Sequence, residues 1–244
     1  MIRWRCSIWL LLACTFMPLP SGAQSPSTKN TVSVRELSIP AKAMHDFQHG
    51  IQLMAKGDPS GSLPCFQHAI LEYSGFYEAY DRIGAADLKL WRLPEAEQAF
   101  QKAIDLSAGQ FAHPLFALGA ILDDRKDFAG ALMLVRKGLG LEPDSWSGRY
   151  YLGLALLGLN RLEEAEGSAR EALQRKADVP VVHLLLADIH TRKKDYPALV
   201  TDLNEYLRLA PNGPESDWAR MVRDAAQRAI LDSTTTTALA QALP

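Results

Sequence analysis

Residues 94–106 read PEAEQAFQKAIDL, and residues 162–173 read LEEAEGSAREAL. Both stretches place alanine and larger apolar residues three or four positions apart, which is the spacing of one face of an α-helix. The same helical sequence pattern occurring twice in one chain indicates an internal repeat. A repeat decides the fold, because each unit must stack on the next to bury its apolar face.

Four positions recur along the chain at an interval of about 34 residues. The first is small and occurs at separations of 34, 35, 34 and 34 residues, at Gly50, Gly84, Gly119, Gly153 and Ala187. The second follows 12 residues later, at Ser62, Ala96, Ala131, Ala165 and Leu199. The third is mostly larger, at Phe66, Phe100, Val135, Ala169 and Leu203. The fourth is mostly small again, at Ala69, Ala103, Gly138, Ala172 and Tyr206. Small residues where two helices cross let the backbones approach closely, so this pattern predicts packed helix pairs.

Short polar segments separate the apolar stretches within each interval, as at 125–127 and 194–195. A short connection makes two helices antiparallel neighbours. The one interval of 35 residues places an extra residue in SAGQFAHP (107–114), where Gly109 can adopt the backbone angles that an insertion needs. The pattern therefore predicts stacked pairs of antiparallel helices.

This pattern resembles the tetratricopeptide repeat, a helix-turn-helix unit of 34 residues. The phrases LGLALLGLNRLEEAEGSAREAL and YLRLAP carry the resemblance, which covers residues 41–213. It implies an all-α fold: a right-handed superhelical solenoid of about five repeats with a C-terminal capping helix. The repeats are expected at 43–76, 77–110, 112–145, 146–179 and 180–213.

The first 23 residues differ from the rest of the chain. Two arginines precede an uncharged apolar run, and two prolines and a small-residue stretch, Ser21 to Ala23, follow it. This order predicts a signal peptide cleaved after residue 23, since the apolar run is too short to span a bilayer. An alternative is that Leu11 to Cys14 forms a lipobox, which would anchor an envelope lipoprotein at Cys14. Both interpretations predict that the chain is exported, either to the periplasm or out of the cell.

The two ends of the repeat array are also expected to differ from it. Residues 24–40 alternate apolar and polar side chains in part, which indicates an extended lead-in or linker. Residues 214–231 have an apolar face at helical spacing and predict the capping helix. Residues 232–244 lack that pattern and are predicted to form a disordered tail.

The sequence offers little for catalysis, cofactors or metals. A formal net charge of -2 gives no basic field for nucleic acid. His45 and His49 are four residues apart on a predicted helix, but no third ligand accompanies them. His183 and His190 fall at positions that face a neighbouring helix. Cys65 is the only cysteine after cleavage, which excludes an internal disulfide. We expect no enzyme activity, no cofactor and no metal site.

The resemblance implies a concave groove lined by the first helix of each repeat, at positions 2, 5, 9 and 12. On this sequence those positions give the candidate partner-binding residues Phe47, Ile51, Met54, Asp81, Leu88, Phe116, Asp123, Tyr150, Leu154, Leu157, Leu184 and Asp188, and Lys89 and Arg192 lie near the groove and are candidates as well. The same positions also include Ala85, His113, Ala120 and Thr191. Some family members hold a terminal carboxylate there with lysine, arginine and asparagine. This chain departs from that pattern, because no asparagine accompanies its groove cations.

An apolar stripe with aspartates at intervals suits an amphipathic helix or an extended apolar peptide of a partner protein. We therefore expect a protein–protein interaction scaffold without nucleic-acid partners, with a membrane link only if Cys14 is lipidated. Two alternatives stay open. The larger groove residues, such as Phe116 and Leu154, can instead pack against neighbouring helices. The groove can also be covered by the lead-in or by a second copy of the chain in a homo-oligomer.

Overall fold

The computed structural model describes residues 39–242, with side chains described through residue 232. This part of the chain contains eleven α-helices and no β-strand. The helices are α1 (Ala41–Ala55), α2 (Pro59–Glu72), α3 (Tyr77–Lys89), α4 (Leu93–Leu106), α5 (Ala112–Asp124), α6 (Phe128–Leu141), α7 (Trp146–Gly158), α8 (Leu162–Arg175), α9 (Pro180–Lys193), α10 (Tyr196–Leu209) and α11 (Ser216–Ala242). The predicted all-α fold of helix-turn-helix units followed by a C-terminal helix is confirmed. The chain divides into two compact units, with the boundary between Glu142 and Pro143.

The first unit packs α1 on α2, α3 on α4 and α5 on α6. Each pair crosses at the small residue of the repeat pattern. A Cβ atom added to Gly50 would lie 2.6 Å from the Phe66 ring, and one added to Gly84 would lie 2.8 Å from the Phe100 ring. Such distances are shorter than van der Waals contact. The glycines are therefore required by the close approach of the larger residue on the second helix.

The second unit packs α7 on α8, α9 on α10, and α10 on α11. A Cβ atom added to Gly153 would lie 2.8 Å from a methyl group of Leu185 and 3.4 Å from the carbonyl oxygen of Ala165. Leu203 and Tyr206 are buried on α10, where earlier repeats have smaller residues at one or both positions. The cores of both units are therefore formed in the same way, by apolar side chains of one helix packing against small residues of its neighbour.

Side chains at the turns fix where several second helices begin. The Asp58 carboxylate accepts a hydrogen bond of 2.7 Å from the backbone N–H of Gly61, and Asp127 accepts one of 2.9 Å from Gly130. Asp195 accepts a similar bond from the backbone N–H of Ala198. Each bond satisfies an N–H group that has no partner within the helix. The polar turns in the sequence are therefore helix caps as well as connections.

One residue in each turn inside a repeat adopts a left-handed backbone conformation. These equivalent residues are Gly57, Trp91, Lys126, Asn160 and Lys194, with φ between 58° and 79°. Glycine adopts this conformation without steric conflict, and asparagine is also enriched there. Trp91 is a bulky residue at a position of this type, and its side chain is 49% exposed. The backbone at Trp91 is therefore strained.

Replacing Trp91 by glycine is expected to raise the free energy of unfolding by about 0.5–1 kcal/mol, because glycine relieves the left-handed strain. Urea denaturation followed by circular dichroism measures this change. Trp91→Ala is the matched control, since alanine removes the indole but keeps the strain. If the glycine variant is no more stable than the alanine variant, strain is not what sets stability at this turn.

The extra residue between the second and third repeats is accommodated by two residues with positive φ. Gly109 has a φ of 71°, and Ala108 beside it has a φ of 51°. The sequence predicts unusual backbone angles at Gly109 alone. Ala108 also adopts a positive φ, because the short connection between Leu106 and the start of α5 has to reverse the chain within a few residues.

The last helix is longer than the sequence predicts. The sequence indicates an end at residue 231 and a disordered tail over residues 232–244, whereas α11 runs to Ala242. The serine and threonine residues after Asp232 lower helix propensity, but no glycine or proline interrupts the segment before Pro244. Alanine and leucine then follow, and both are good helix formers.

The predicted signal peptide (1–23) and most of the lead-in (24–40) lie outside the described residues, as does Cys14. Cleavage and lipidation therefore remain predictions from the sequence. Among the described residues, no helix has the length and the apolar content needed to cross a membrane.

Candidate functional site

The structure divides the predicted groove residues into a buried group and an accessible group. The buried residues are Phe47, Met54, Asp81, Leu88, Phe116, Tyr150, Leu157 and Leu184. The half-buried residues are Ile51, Lys89, Asp123, Leu154 and Asp188, and Arg192 is exposed. Only the accessible group presents side chains that a partner can reach without rearrangement of the fold. The candidate surface is therefore narrower than the sequence indicates.

Two aromatic residues from the predicted groove are core residues. The Phe47 ring lies 4.8 Å from the Phe76 ring and 5.8 Å from the Phe66 ring, measured between centroids. Phe116 is 3% exposed, and a Cβ atom added to Gly138 would lie 2.5 Å from its ring. Phe116 thus fills the space that Gly138 leaves on α6. The expectation that these two rings line an open groove is corrected, because they pack within and between helix pairs.

A buried carboxylate joins the first helices of two successive repeats in the first unit. The Nδ1 atom of His113, on α5, lies 2.6 Å from Oδ1 of Asp81, on α3. The Asp81 side chain is fully buried, and the Nε atom of Arg82 lies 3.9 Å from its other oxygen. Within the described part of the chain, that other oxygen has no hydrogen-bond partner. Asp81 therefore holds α3 and α5 together, and it does not reach a partner.

The C-terminal end of α5 carries two neighbouring carboxylates, Asp123 and Asp124. Oδ1 of Asp123 is buried, and no described group donates a hydrogen bond to it. Burial raises the pKa of Asp123 to about 6, and the charge of Asp124 acts in the same direction. The charged form of Asp123 is therefore held in an unfavourable environment.

In the second unit, the last turn of α9, which is equivalent to the end of α5, carries the cation Arg192. The Nη1 atom of Arg192, on α9, donates a 2.9 Å hydrogen bond to the carbonyl oxygen of Leu157, in the last turn of α7. Its Nη2 atom lies 3.6 Å from the Asp188 carboxylate. Burial raises the pKa of Asp188, and Arg192 opposes that effect. Arg192 thus links two first helices and partly neutralises a half-buried aspartate.

A polar network in the second unit is not predicted from the sequence. Nδ1 of His190 lies 2.6 Å from Oδ2 of Asp202, and its Nε2 atom lies 3.5 Å from Oε1 of Glu166. His183 lies 3.7 Å from the other oxygen of Asp202. A hydrogen bond from Lys193 lowers the pKa of Glu166 to about 2. In the sequence, the only hint of this network is that helix-facing histidines and acids occur on three helices. Recognising which histidine meets which acid requires knowing that α8, α9 and α10 pack together.

The histidines of α1 do not form a metal site with their neighbours. The His45 side chain is 81% exposed, while Nδ1 of His49 lies 3.5 Å from the Cys65 sulfur. Burial raises the pKa of Cys65, which favours the thiol over the thiolate. Within residues 39–242, no group of three or more metal-ligating side chains comes together.

Within each unit, helix pairs pack against one another with small residues where the helices cross, and this construction defines a helical repeat protein. Residues 116–180 match the family model of the tetratricopeptide repeat. This match confirms the resemblance found in the sequence for residues 116–180, which carry tetratricopeptide repeat sequence. Comparison with curated protein sequences gives no significant match.

Solved structures of similar fold include several bacterial proteins. MamA from Desulfovibrio magneticus RS-1 is 20% identical, with 72% of this chain and 99% of that chain covered at a TM-score of 0.59. The pilF protein of Pseudomonas aeruginosa is 16% identical, with 81% and 88% covered at a TM-score of 0.67. YrrB, described as a protein of this repeat class with an unusual peptide-binding site, is 16% identical, with 73% and 92% covered at 0.54. At these identities the likeness concerns the fold.

Proposed function

We propose that the chain is a non-catalytic protein–protein interaction scaffold that binds a peptide or helix of a partner on the first helices of its repeats. The observation that carries this proposal is the row of half-buried side chains on those helices. Ile51, Lys89 and Asp123 form it in the first unit, and Leu154 and Asp188 form it in the second. Half-buried apolar and charged side chains side by side are typical of surfaces that recognise protein segments.

The proposed partner segment is amphipathic. Apolar side chains such as Leu154 can accept an apolar face, while the aspartates can contact a polar one. YrrB, whose fold is similar, has a peptide-binding site, and this supports a peptide as the kind of ligand. The formal net charge of -2 does not favour a nucleic-acid partner, and neither a cofactor nor a catalytic step is part of this proposal.

A self-associating module is the second candidate, in which another copy or the chain's own N-terminal segment covers the same helices. Met133, which is exposed on the second helix α6, favours an additional contact with another copy, because large exposed apolar side chains often mark contact surfaces. Sedimentation of the purified protein over a range of concentrations distinguishes a monomer from such an assembly.

We also propose export from the cytoplasm, on the basis of residues 1–23. The N-terminal residue of the protein purified from cells separates the two routes. Gln24 would indicate cleavage after Ala23, and a lipid-modified Cys14 would indicate an envelope lipoprotein.

Leu154→Asp is expected to reduce partner capture at least tenfold, because it places a charge on the half-buried stripe of α7 while leaving the buried residues in place. The measurement is a crosslinked pull-down from native envelope extract, quantified for wild type and variant. Leu71→Asp is the matched control, since Leu71 is 81% exposed on the second helix α2. Circular dichroism establishes that both variants are folded.

Equal capture by the wild type and folded Leu154→Asp would contradict binding on this helix. Recovery of the bait alone would support the self-associating alternative. A partner identified in this way is then titrated as a purified protein, so that binding is shown without the extract.

A further inference from the structure

Arg82, on α3, is a buried arginine whose guanidinium group donates no hydrogen bond to a described residue. Its side chain is 8% exposed, and its Nε atom lies 3.9 Å from Oδ2 of Asp81, which is too far for a hydrogen bond. Within the described part of the chain, this contact is the only ion pair that Arg82 makes. The other oxygen atom of Asp81 is already held at 2.6 Å by His113. Arg82 is therefore a charged donor that lacks an acceptor.

The repeat fold does not require an arginine at this position. Arg82 lies two residues before the small residue at the helix crossing, and its counterparts in the other repeats are Gln48, Ala117, Tyr151 and Leu185. None of these counterparts carries a charge. Burying a guanidinium group is unfavourable when hydrogen bonds do not replace its lost hydration. Packing therefore explains neither the charge of Arg82 nor its missing acceptor.

The terminal nitrogen atoms of Arg82 can be reached from outside the chain. Among the described atoms of its side chain, only Nε is buried without a partner. Nη1 and Nη2 donate to no described group either, so they are not fully buried and retain accessible surface. Two accessible Nη atoms beside a buried Nε present one edge of the guanidinium group, and this edge matches the two oxygen atoms of a carboxylate.

A second cation lies on the same face of α3. Lys89 follows Arg82 by seven residues, which is about two helical turns. Burial lowers the pKa of Lys89, so this ammonium group has also lost part of its hydration. Ala85 and Ala86 lie between the two cations, and both are fully buried. This face of α3 therefore carries a cation at each end of a flat, apolar stretch.

We propose that Arg82 recognises an acidic side chain of the partner segment, with Nη1 and Nη2 donating paired hydrogen bonds to the carboxylate of an aspartate or glutamate. This inference rests on the proposed function and specifies the chemistry of the partner. The carboxylate supplies the acceptors that Arg82 lacks among the described residues. The recognised segment is therefore amphipathic and acidic.

The position of Arg82 favours a side-chain carboxylate over the carboxylate at the end of a chain. The first unit has three first helices, α1, α3 and α5, and α3 lies between the other two in the order of the repeats. A segment that runs along these helices therefore meets Arg82 in its interior. The acid that it presents there comes from a side chain.

The probes for the test are two phage-displayed libraries of short random peptides, selected against the full chain. Peptides of the first library have no free C-terminus, whereas those of the second end in a free carboxylate. We expect peptides of the first library to be enriched and to share an aspartate or glutamate beside apolar residues. Selection against folded Arg82→Gln is expected to lose that shared acid, because glutamine has no charged fork of donors.

The affinity of a single enriched peptide measures the size of the effect. The peptide is synthesised with an amidated C-terminus, and its shared acid is replaced by the corresponding amide. This change and Arg82→Gln are each expected to weaken binding at least tenfold, and the two together cost little more than either alone. Arg136→Gln is the matched control, since Arg136 is an exposed arginine on the second helix α6, and it leaves binding unchanged.

Circular dichroism establishes that each variant is folded. Arg82→Lys keeps the positive charge and removes the planar fork, so it replaces the glutamine variant if that variant does not fold. The lysine variant is expected to weaken binding at least threefold, because a single ammonium group cannot donate two parallel hydrogen bonds to one carboxylate.

Three results would overturn the inference: enriched peptides without a shared acid, selection of the same acid by folded Arg82→Gln, or enrichment only in the library with free C-termini. Each of them leaves the proposed scaffold function standing, because peptides still bind. Enrichment of no peptide from either library would count against the scaffold function itself, and the role of Arg82 would be rejected with it.

Discussion

Replacing Phe116 by alanine is expected to lower the free energy of unfolding by about 3–5 kcal/mol. The ring is almost completely buried and fills the space left by Gly138 on α6. Removing it leaves a cavity next to a residue that has no side chain with which to fill it. Because α5 and α6 have to pack closely at this point, the surrounding helices can relax only partly.

Urea denaturation followed by far-UV circular dichroism measures this loss at constant pH. Leu154→Ala is the comparison, since Leu154 is a predicted groove residue that remains half-buried, and it is expected to cost about 1–2 kcal/mol. Losses of equal, small size in both variants would show that Phe116 is not a core residue. Phe116→Asp is expected to unfold the first unit, so it cannot serve as a test of partner binding.

His190→Leu is expected to destabilise the chain by about 3–5 kcal/mol, because it leaves the Asp202 carboxylate buried without its main partner. The carboxylate can only accept a hydrogen bond, so Nδ1 of His190 donates the 2.6 Å contact. His183, at 3.7 Å from the other oxygen, is too distant to replace that bond. Glu166 loses a neighbour as well, but Lys193 and Arg170 still hold it.

A double-mutant cycle separates the pair from its surroundings. Asp202→Leu combined with His190→Leu is expected to be less destabilised than His190→Leu alone, since two apolar residues leave no unpaired buried charge. His45→Leu is the control, because His45 is exposed on α1 and should change stability by less than about 0.5 kcal/mol. Additive losses in the cycle would show that His190 and Asp202 do not act as a pair.

The repeat pattern predicts the architecture well because its small residues mark the points at which two helices cross. Gly50 and Gly84 are small for a reason that the structure makes explicit: the rings of Phe66 and Phe100 occupy the space of a Cβ atom. Such constraints recur at a fixed spacing in the sequence, so they can be recognised without coordinates. The end of α11 is less well predicted, since helix propensity without packing marks boundaries weakly.

The candidate site is predicted less completely. All four residues are assigned to a groove by the sequence; Leu154 and Asp123 are half-buried, whereas Phe47 and Phe116 lie in the core. All four fall on the same face of a first helix at helical spacing. Periodicity identifies a face, but it does not identify how deeply each side chain on that face is covered by the neighbouring helix.

The sequence by itself determines that residues 41–209 are built from five helix-turn-helix units, because small and large residues must alternate where helices cross. Only the tertiary structure decides which charges are satisfied. Arg192 caps a neighbouring helix, His190 joins Asp202, and Asp123 keeps a buried oxygen atom without a donor among the described residues. The reason is physical: the spacing of residues along one helix is local, whereas the pairing of charges depends on distances between helices.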